Sequence, residues 1–176
     1  MDSLWWGNHI ADVCQWIHSG EEIFRIKKPD SPAKHLVSYF LLVDIEAEEA
    51  LLVNHRKAGL WLPPGGHVEP NEHPFQTVKR EIQEELGIEA DFISEDPLFL
   101  TVTETVGLTA GHTDVSLWYI LEGNKSKKLD FDEEEFFGIQ WFTYDKIPFD
   151  ASDPHMKRFM KKISSLSYKA VASSPV

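Results

Sequence analysis

The alternation of apolar and polar residues along the chain predicts several short strands. Two β-rich runs are separated by the polar stretch Ile-Glu-Ala-Glu-Glu, which is typical of a hairpin. The predicted strands lie at 35–44, 50–55, about 98–106, 112–121 and 138–143. A helix is predicted at 74–86, and a closing helix from about Asp153. This order of elements predicts an α/β fold, a mixed sheet flanked by helices.

A separate amphipathic helix is predicted over residues 3–19, followed by Gly20 as a typical helix end. Its apolar residues recur at spacings of three and four. They are Trp6, Ile10, Val13 and Ile17, with Leu4, Trp5 and Trp16 close by. We expect residues 1–20 to pack onto a domain formed by 21–166, and the small, polar tail 167–176 to fray. A dimer contact and a lid over a substrate are the alternative roles for this helix.

The helix predicted at 74–86 carries carboxylates beside its apolar stripe. At roughly 100° per residue, the stripe contains Phe75, Val78, Ile82 and Leu86. Glu81 and Glu85 border this stripe, whereas Glu84 and then Arg80 lie further round the helix. Like charges four residues apart, close to the negative end of a helix dipole, destabilise the helix. A cation would remove this penalty, and oxygen donors suit Mg²⁺ or Mn²⁺. For this pattern alone, a solvated acidic face is the alternative.

A Pro-Pro-Gly-Gly turn comes before this helix. Gly65 and Gly66 allow unusual backbone angles and the close approach of a carbonyl or phosphate group. Asn71 tolerates a left-handed conformation and is a candidate helix cap, with Pro74 in the first turn. Gly87 is expected to end the helix. The turn, the helix and the carboxylates are therefore expected to form one pocket.

The overall charge narrows the choice of partner. The formal net charge is −12, which disfavours binding to a nucleic-acid polymer or an anionic membrane. Cys14 is the only cysteine, so no intrachain disulfide can form. We find neither a secretory segment nor an apolar run of about 20 residues. These observations lead us to expect a cytoplasmic protein.

The stretch from Gly66 to Ile88 resembles the signature of the Nudix hydrolases. Five residues separate Gly66 from Glu72, and seven more precede Arg80. The remaining signature positions are filled by Glu81, Ile82, Gln83, Glu84, Glu85, Leu86, Gly87 and Ile88. Similar family segments lie outside it, at Trp61 and at Glu135, six residues before Trp141. Pro63 and Asn71 depart from the usual residues without changing the spacing. The resemblance covers about 35–145 and implies a Nudix-type α/β/α sandwich with an added N-terminal helix.

The resemblance also implies a chemistry. Nudix enzymes cleave a nucleoside diphosphate linked to another group, by attack of water on phosphorus with divalent-metal assistance. By this resemblance, Glu81, Glu84 and Glu85 would hold Mg²⁺ or Mn²⁺, together with the backbone carbonyl of Gly65 or its neighbour. Arg80 would pair with Glu72 or with a glutamate of the helix and so orient the carboxylates. The general base is one of these carboxylates or Glu135, and the choice stays open.

Residues outside the signature are expected to select the substrate. His112, Asp114 and Ser116 alternate on one face of a predicted strand, where they either contact a base or sugar or form a wet face of the sheet. Gly65 and Gly66 are candidate phosphate-binding residues. His55, His67 and His73 lack the spacing of paired metal ligands and are expected at the surface.

The leading functional hypothesis is a nucleoside triphosphate pyrophosphohydrolase, with oxidised or non-standard nucleotides as candidate substrates. One alternative is a hydrolase of nucleotide sugars or other diphosphate compounds. Another is a nucleotide-binding protein that keeps the fold without turnover. In each case the expected partner is a small molecule, and a homodimer is an open alternative.

Overall fold

The computed structural model describes the backbone of residues 3–28 and 30–172, and side chains within 10–28, 30–108 and 110–165. The strands are β1 Lys34–Asp44, β2 Glu49–His55, β3 Leu60–Leu62, β4 Gly65–His67, β5 Phe99–Glu104, β6 Thr113–Glu122 and β7 Phe136–Thr143. The α-helices are α1 Ser3–His18, α2 Pro74–Leu86 and α3 Met156–Ala172. No described helix is long and apolar enough to cross a membrane.

The sheet is mixed and is organised around β1. One edge of β1 pairs in parallel with β6, and β5 continues the sheet antiparallel to β6. On the other edge, β1 pairs antiparallel with β2 at Val43–Ala50 and Asp44–Glu49, which confirms the predicted hairpin. Further along, β4 pairs with β1, whereas β3 and β7 pair with β2. The short strands β3 and β4 therefore lie where β1 and β2 separate.

Helices cover both faces of the sheet. Successive residues of a strand point to opposite faces, so Phe40 and Leu42 of β1 face α2, whereas Leu41 and Val43 face α3. The apolar side chains that α2 buries are Val78, Ile82 and Leu86. Those that α3 buries are Met156, Phe159, Met160 and Ile163. Burial of each large apolar side chain contributes about 1.5–3 kcal/mol. This arrangement confirms the α/β/α sandwich.

Helix α1 lies against the sheet through a different face from the predicted one. Val13 and Trp16 are buried and pack with Leu36, Val68 and Val115. Ile10 and Ile17 are 50% and 42% exposed, so their placement in the buried stripe was wrong. Apolar residues occur almost all round this helix, so periodicity alone did not determine which face is buried. The side chains of Leu4, Trp5 and Trp6 lie outside the described residues.

The helix ends differ from prediction in two places. The cap of α2 is His73, whose Nδ1 accepts a hydrogen bond from the Phe75 N–H at 3.2 Å. Asn71 is left-handed as predicted, with φ 66°, but it lies in the loop before the cap. Helix α3 begins at Met156 because the Asp153 carboxylate accepts the His155 N–H at 2.7 Å. Helix α3 continues to Ala172, into the segment 167–176 that was predicted to fray, and residues 173–176 lie outside the described part.

Candidate active site

An open cavity of about 1090 Å³ lies beside the two short strands β3 and β4. The glycine turn and the carboxylate-bearing side of α2 line this same cavity, as the sequence predicted. From these two elements come Gly65, Gly66, Arg80, Glu81, Glu84 and Glu85. From the neighbouring strands and loops come His112, Asp114, Ser116 and Glu135.

The glycine turn makes direct contact with two glutamates of α2. The Gly65 N–H donates a hydrogen bond to Glu85 Oε2 at 3.0 Å. A Cβ added at Gly66 would lie 2.1 Å from Glu81 Oε1. At Gly65, φ is +143° and a Cβ would meet the Ser38 carbonyl oxygen at 2.1 Å. Both positions therefore require glycine, which lets the carboxylates rest against the backbone.

Arg80 connects the loop and the helix through a network of hydrogen bonds. Its Nε and Nη2 donate to the two carboxylate oxygens of Glu72, each at 3.0 Å, which is a bidentate pair. Its Nη1 donates to Glu81 Oε1 at 2.6 Å and to Glu84 Oε2 at 3.3 Å. Its Nη2 also donates to the carbonyl of His67 at 3.1 Å. Arg80 therefore orients the glutamates and joins α2 to β4.

The Glu72 carboxylate is held by more than Arg80. It also accepts hydrogen bonds from the Glu69 N–H at 3.1 Å and from Thr77 Oγ1 at 2.8 Å. Burial alone would raise the pKa of Glu72, but these hydrogen bonds and Arg80 hold it below its ordinary value. Glu72 is therefore a charged anchor for Arg80.

The helix carboxylates differ in their exposure. Glu85 is only 4% exposed, whereas the side chain of Glu84 is 59% exposed. Burial, and then the nearby carboxylates of Glu81 and Glu135, raise the pKa of Glu85 well above its ordinary value. Burial also raises the pKa of Glu81, against the opposing effect of Arg80. The buried Glu85 and the largely buried Glu81 thus lie close together, and repulsion between their negative charges would destabilise this arrangement.

A group of histidines lies in another part of the cavity wall. The ring centroid of His35 lies 4.7 Å from that of His67 and 4.9 Å from that of His112. His112 Nε2 lies 3.2 Å from Asp114 Oδ1. Burial lowers the pKa of His67 to about 2. His67 was predicted at the surface, and the structure finds it only partly exposed, with its Nε2 buried and its side chain in the cavity wall.

His112, Asp114 and Ser116 share one side of β6 and the loop before it, and they are buried in the cavity wall. They therefore do not form a solvent-exposed face of the sheet, which was the alternative interpretation. Their contact with a substrate stays a prediction.

The NUDIX domain family model matches residues 34–163 of the chain. The chain belongs to the NUDIX family. Over 30 residues, 17% of this chain and 20% of the relative, it is 63% identical to bis(5'-nucleosyl)-tetraphosphatase [asymmetrical] of Sus scrofa. Over 51 residues, 26% of this chain and 38% of the relative, it is 47% identical to CTP pyrophosphohydrolase of Escherichia coli. These matches span well under half the length of either curated relative.

Solved structures show the same NUDIX fold. A Caenorhabditis elegans Ap4A hydrolase in a binary complex superposes with a TM-score of 0.63 at 20% sequence identity. The superposition covers 74% of this chain and 96% of that one. At this identity, the likeness establishes the fold alone.

The carboxylates of this NUDIX chain fit a hard divalent cation. Carboxylate and carbonyl oxygens are the donors that Mg²⁺ prefers. The buried, mutually repelling Glu81 and Glu85 also lack a full counter-charge, since Arg80 hydrogen-bonds to Glu81 but the structure gives it no contact with Glu85. A divalent cation would supply that charge. Glu84 lines the same cavity and would add a third donor.

Several residues in or beside the cavity of the NUDIX domain were not found from the sequence. His35 precedes an apolar run with no signature of its own, and parallel pairing of β1 with β6 places it opposite Asp114. Asp153, expected only near a helix start, also lines the cavity. His67 is brought to this place by its pairing with Val37 of β1, and predicting that pairing would have required the strand register. Sequence signals for these residues were therefore absent or ambiguous.

Proposed function

We propose that this chain is a Mg²⁺-dependent hydrolase of the diphosphate bond in a nucleoside diphosphate linked to another group. Its leading activity is nucleoside triphosphate pyrophosphohydrolysis, with oxidised or non-standard nucleotides as candidate substrates. The observation that carries the proposal is the contact of Glu81 and Glu85 with the Gly65–Gly66 backbone inside one cavity. Membership of the NUDIX family and the local likeness to CTP pyrophosphohydrolase support it.

Glu81, Glu84 and Glu85 hold the cation in this proposal, with the Gly65 carbonyl as a further ligand. Mg²⁺ at this site supplies charge neutralisation at the diphosphate and makes deprotonation of water easier. Arg80 keeps Glu81 oriented and is itself held by the bidentate contact with Glu72. Glu81, Glu84, Glu85 and Glu135 are the candidates to accept the proton of the attacking water.

Basic side chains also line the cavity of this acidic chain. They are Arg25, Lys27, Lys28 and Lys57. A phosphate chain that extends from the carboxylate site would meet these groups, which attract negative charge. Their local positive charge supports a small phosphorylated substrate despite the net charge of −12.

The test is a panel of nucleoside triphosphates, nucleotide sugars and dinucleoside polyphosphates, each incubated with Mg²⁺ and analysed for products. Pyrophosphate and a nucleoside monophosphate from triphosphates are the expected products. Nucleoside monophosphate with a sugar phosphate would instead identify a nucleotide-sugar hydrolase. Binding of these ligands without any product would identify a protein that keeps the fold without turnover.

A dinucleoside polyphosphate is the second candidate substrate. A volume of about 1090 Å³ lies just above the roughly 300–1,000 Å³ typical of small-molecule sites, so the cavity has room for a large ligand. The local identity to bis(5'-nucleosyl)-tetraphosphatase supports the same class. A kcat/KM for such a compound well above that for every triphosphate would favour this candidate.

A further inference from the structure

We propose that His35, His67, His112 and Asp30 form a second metal site, which binds a divalent transition-metal ion such as Zn²⁺. The proposal goes beyond the hydrolase function, which requires only the carboxylates of α2. We call these four residues the imidazole site. Asp30, His67 and His112 line the same cavity, and His35 is buried beside them. The site brings together the loop before β1, strand β1, strand β4 and the loop before β6.

The spacing of the donor atoms suits one ion. One ligand atom from each of the four side chains lies within 4.8 Å of the others. Four ligands around Zn²⁺ at about 2.0–2.1 Å lie about 3.3 Å apart. Closure of the site therefore requires shifts of about 1 Å, small for side chains. Asp30 lies in a loop and its side chain is 26% exposed, so it has room to move.

His35 is prepared as a ligand by its surroundings. Its side chain is fully buried, and its Nδ1 donates a hydrogen bond to the Pro32 carbonyl at 2.8 Å. This hydrogen bond leaves Nε2 to act as the acceptor or ligand atom, the arrangement found around many metal-bound histidines. Its Nε2 lies 3.5 Å from Asp114 Oδ1, without the alignment of a hydrogen bond. Burial lowers the pKa of His35, but Asp114 and the Pro32 carbonyl outweigh burial and raise it above its ordinary value, so an ion at Nε2 would displace a proton.

Unpaired polar atoms at this place are an independent sign of a missing ligand. Among the described residues, His35 Nε2, His67 Nε2 and Asp114 Oδ1 are buried without a hydrogen-bond partner. Such atoms are rare in folded proteins because their desolvation is not compensated. Asp114 Oδ1 has ionic contacts with His112 Nε2 at 3.2 Å and His35 Nε2 at 3.5 Å. The two imidazole nitrogens in one cluster are the atoms that indicate binding of an external group.

The donor set selects the class of metal. Imidazole nitrogens suit Zn²⁺ and other transition metals, whereas Mg²⁺ prefers oxygen ligands. Three neutral imidazoles together with the carboxylates of Asp30 and Asp114 carry two negative charges, which balance one divalent ion. The cavity would then hold two metals of different character, Mg²⁺ at the α2 glutamates and a transition metal at the imidazole site.

An ion at the imidazole site would connect the loop of Asp30 to the sheet. This loop contributes basic residues to the cavity wall, so binding would also order that part of the wall. Without a metal, His35 Nε2 has only its 3.5 Å ionic contact with Asp114 Oδ1.

The test uses the untagged full chain, freed of metal with EDTA and then titrated with Zn²⁺ in competition with a chromophoric chelator. We expect one tight equivalent and a rise in Tm when it binds. Co²⁺ in place of Zn²⁺ should give the visible absorption bands of a tetrahedral nitrogen and oxygen site. Absence of a tight equivalent in the wild type would overturn the proposal.

Two site variants and two control variants test whether the ion binds at the imidazole site. His112→Gln and Asp30→Asn should each weaken Zn²⁺ binding at least tenfold. Asp30→Asn, at a partly exposed loop position, provides the readout if His112→Gln does not fold. The matched controls are His18→Gln and Cys14→Ser, which change exposed candidate ligands outside the site and should bind Zn²⁺ as the wild type does. Unchanged binding in both site variants would overturn the proposal.

Glu85→Gln separates this proposal from the hydrolase function. It should lose Mg²⁺-dependent turnover and keep the tight Zn²⁺ equivalent. Loss of that equivalent in Glu85→Gln, with its retention in His112→Gln, would place the ion at the α2 carboxylates and refute the imidazole site. Tight Zn²⁺ binding by a chain that hydrolyses no diphosphate would support the site while the hydrolase proposal fails.

Discussion

The carboxylate of Glu81 lies directly against the backbone of Gly66, where a Cβ would be 2.1 Å from Glu81 Oε1. The contact joins the glycine turn to helix α2 and leaves no room for a side chain. Glu81 is also held by Arg80, whose Nη1 donates to the same oxygen at 2.6 Å. The position of the Glu81 carboxylate therefore depends both on the lack of a side chain at Gly66 and on the ion pair with Arg80.

Gly66→Ala should reduce Mg²⁺-dependent hydrolysis by about 10²-fold, because the new methyl group displaces the Glu81 carboxylate by about 1 Å or more. The measurement is kcat/KM with the substrate found in the panel, together with far-UV circular dichroism. Gly138→Ala is the matched control, since its Cβ would meet nothing within 4 Å. Wild-type activity in Gly66→Ala would contradict the placement of Glu81 in the site.

Glu85→Gln should lower turnover by several orders of magnitude and leave the fold intact, because it removes one negative charge from the proposed cation site. Since the pKa of Glu85 is raised by burial and neighbouring carboxylates, the neutral amide should not lower the stability of the metal-free protein. Steady-state kinetics and Tm in EDTA measure the two effects. Glu89→Gln, at an exposed position just after the helix, is the control. Near wild-type turnover in a folded Glu85→Gln would refute the cation assignment.

Arg80→Lys and Glu72→Gln should each lower kcat/KM by about 10- to 100-fold, because lysine cannot form the bidentate contact and glutamine lacks the charge that anchors Arg80. The double variant should lose much less than the product of the two single losses, since both act through one contact. A double-mutant cycle with Mg²⁺ titrations at each corner measures this coupling. Independent, multiplicative losses would show that the pair does not act as a unit.

Asp153 should make stability decrease as the pH rises from about 4 to 6. Burial raises its pKa to about 6, from an ordinary value of 3.8, despite the opposing hydrogen bond from the His155 N–H. Between these values the folded state binds a proton that the unfolded state has released, so stability is present at low pH and lost as pH rises through the folded pKa. The full difference amounts to about 3 kcal/mol.

Urea unfolding in EDTA between pH 4 and 7, compared with Asp153→Asn, isolates this contribution. Asparagine keeps an oxygen to accept the His155 N–H. We expect the wild type to lose stability relative to Asp153→Asn across this range. A difference between the two proteins that does not change with pH would show that Asp153 titrates normally.

The local spacing of apolar and charged residues was sufficient to predict helix α2 and its faces. Its bounds, its buried residues Val78, Ile82 and Leu86, and the bordering positions of Glu81 and Glu85 all agree with the projection of one helix. The family resemblance left Glu72 and a glutamate of the helix as alternative partners of Arg80, and the structure shows contacts with both, to Glu72 and to Glu81. These features depend on residues close in sequence, whose geometry a single helix and its preceding loop largely set.

The hydrophobic pattern did not predict the structure correctly where the same local sequence could pack in more than one way. On α1, apolar residues occur on more than one face, and contact with Leu36 and Val115 selected Val13 and Trp16 instead of Ile10 and Ile17. At the start of α2, both Asn71 and His73 can accept a hydrogen bond, and the left-handed backbone at Asn71 placed the cap at His73.

The sequence by itself determined the order of the helices and of the longer strands, and the acidic side of α2, because hydrophobic period and residue spacing act over a few turns of chain. Strand β4, Gly65–His67, was not predicted, since these residues were expected in a turn. Only the tertiary structure decided which distant residues meet. Parallel pairing of β1 with β6 set His35 opposite Asp114, and antiparallel pairing of β1 with β4 brought His67 to the same place. Strand register, which is set by packing across the whole sheet, has no local signal that could have grouped these side chains.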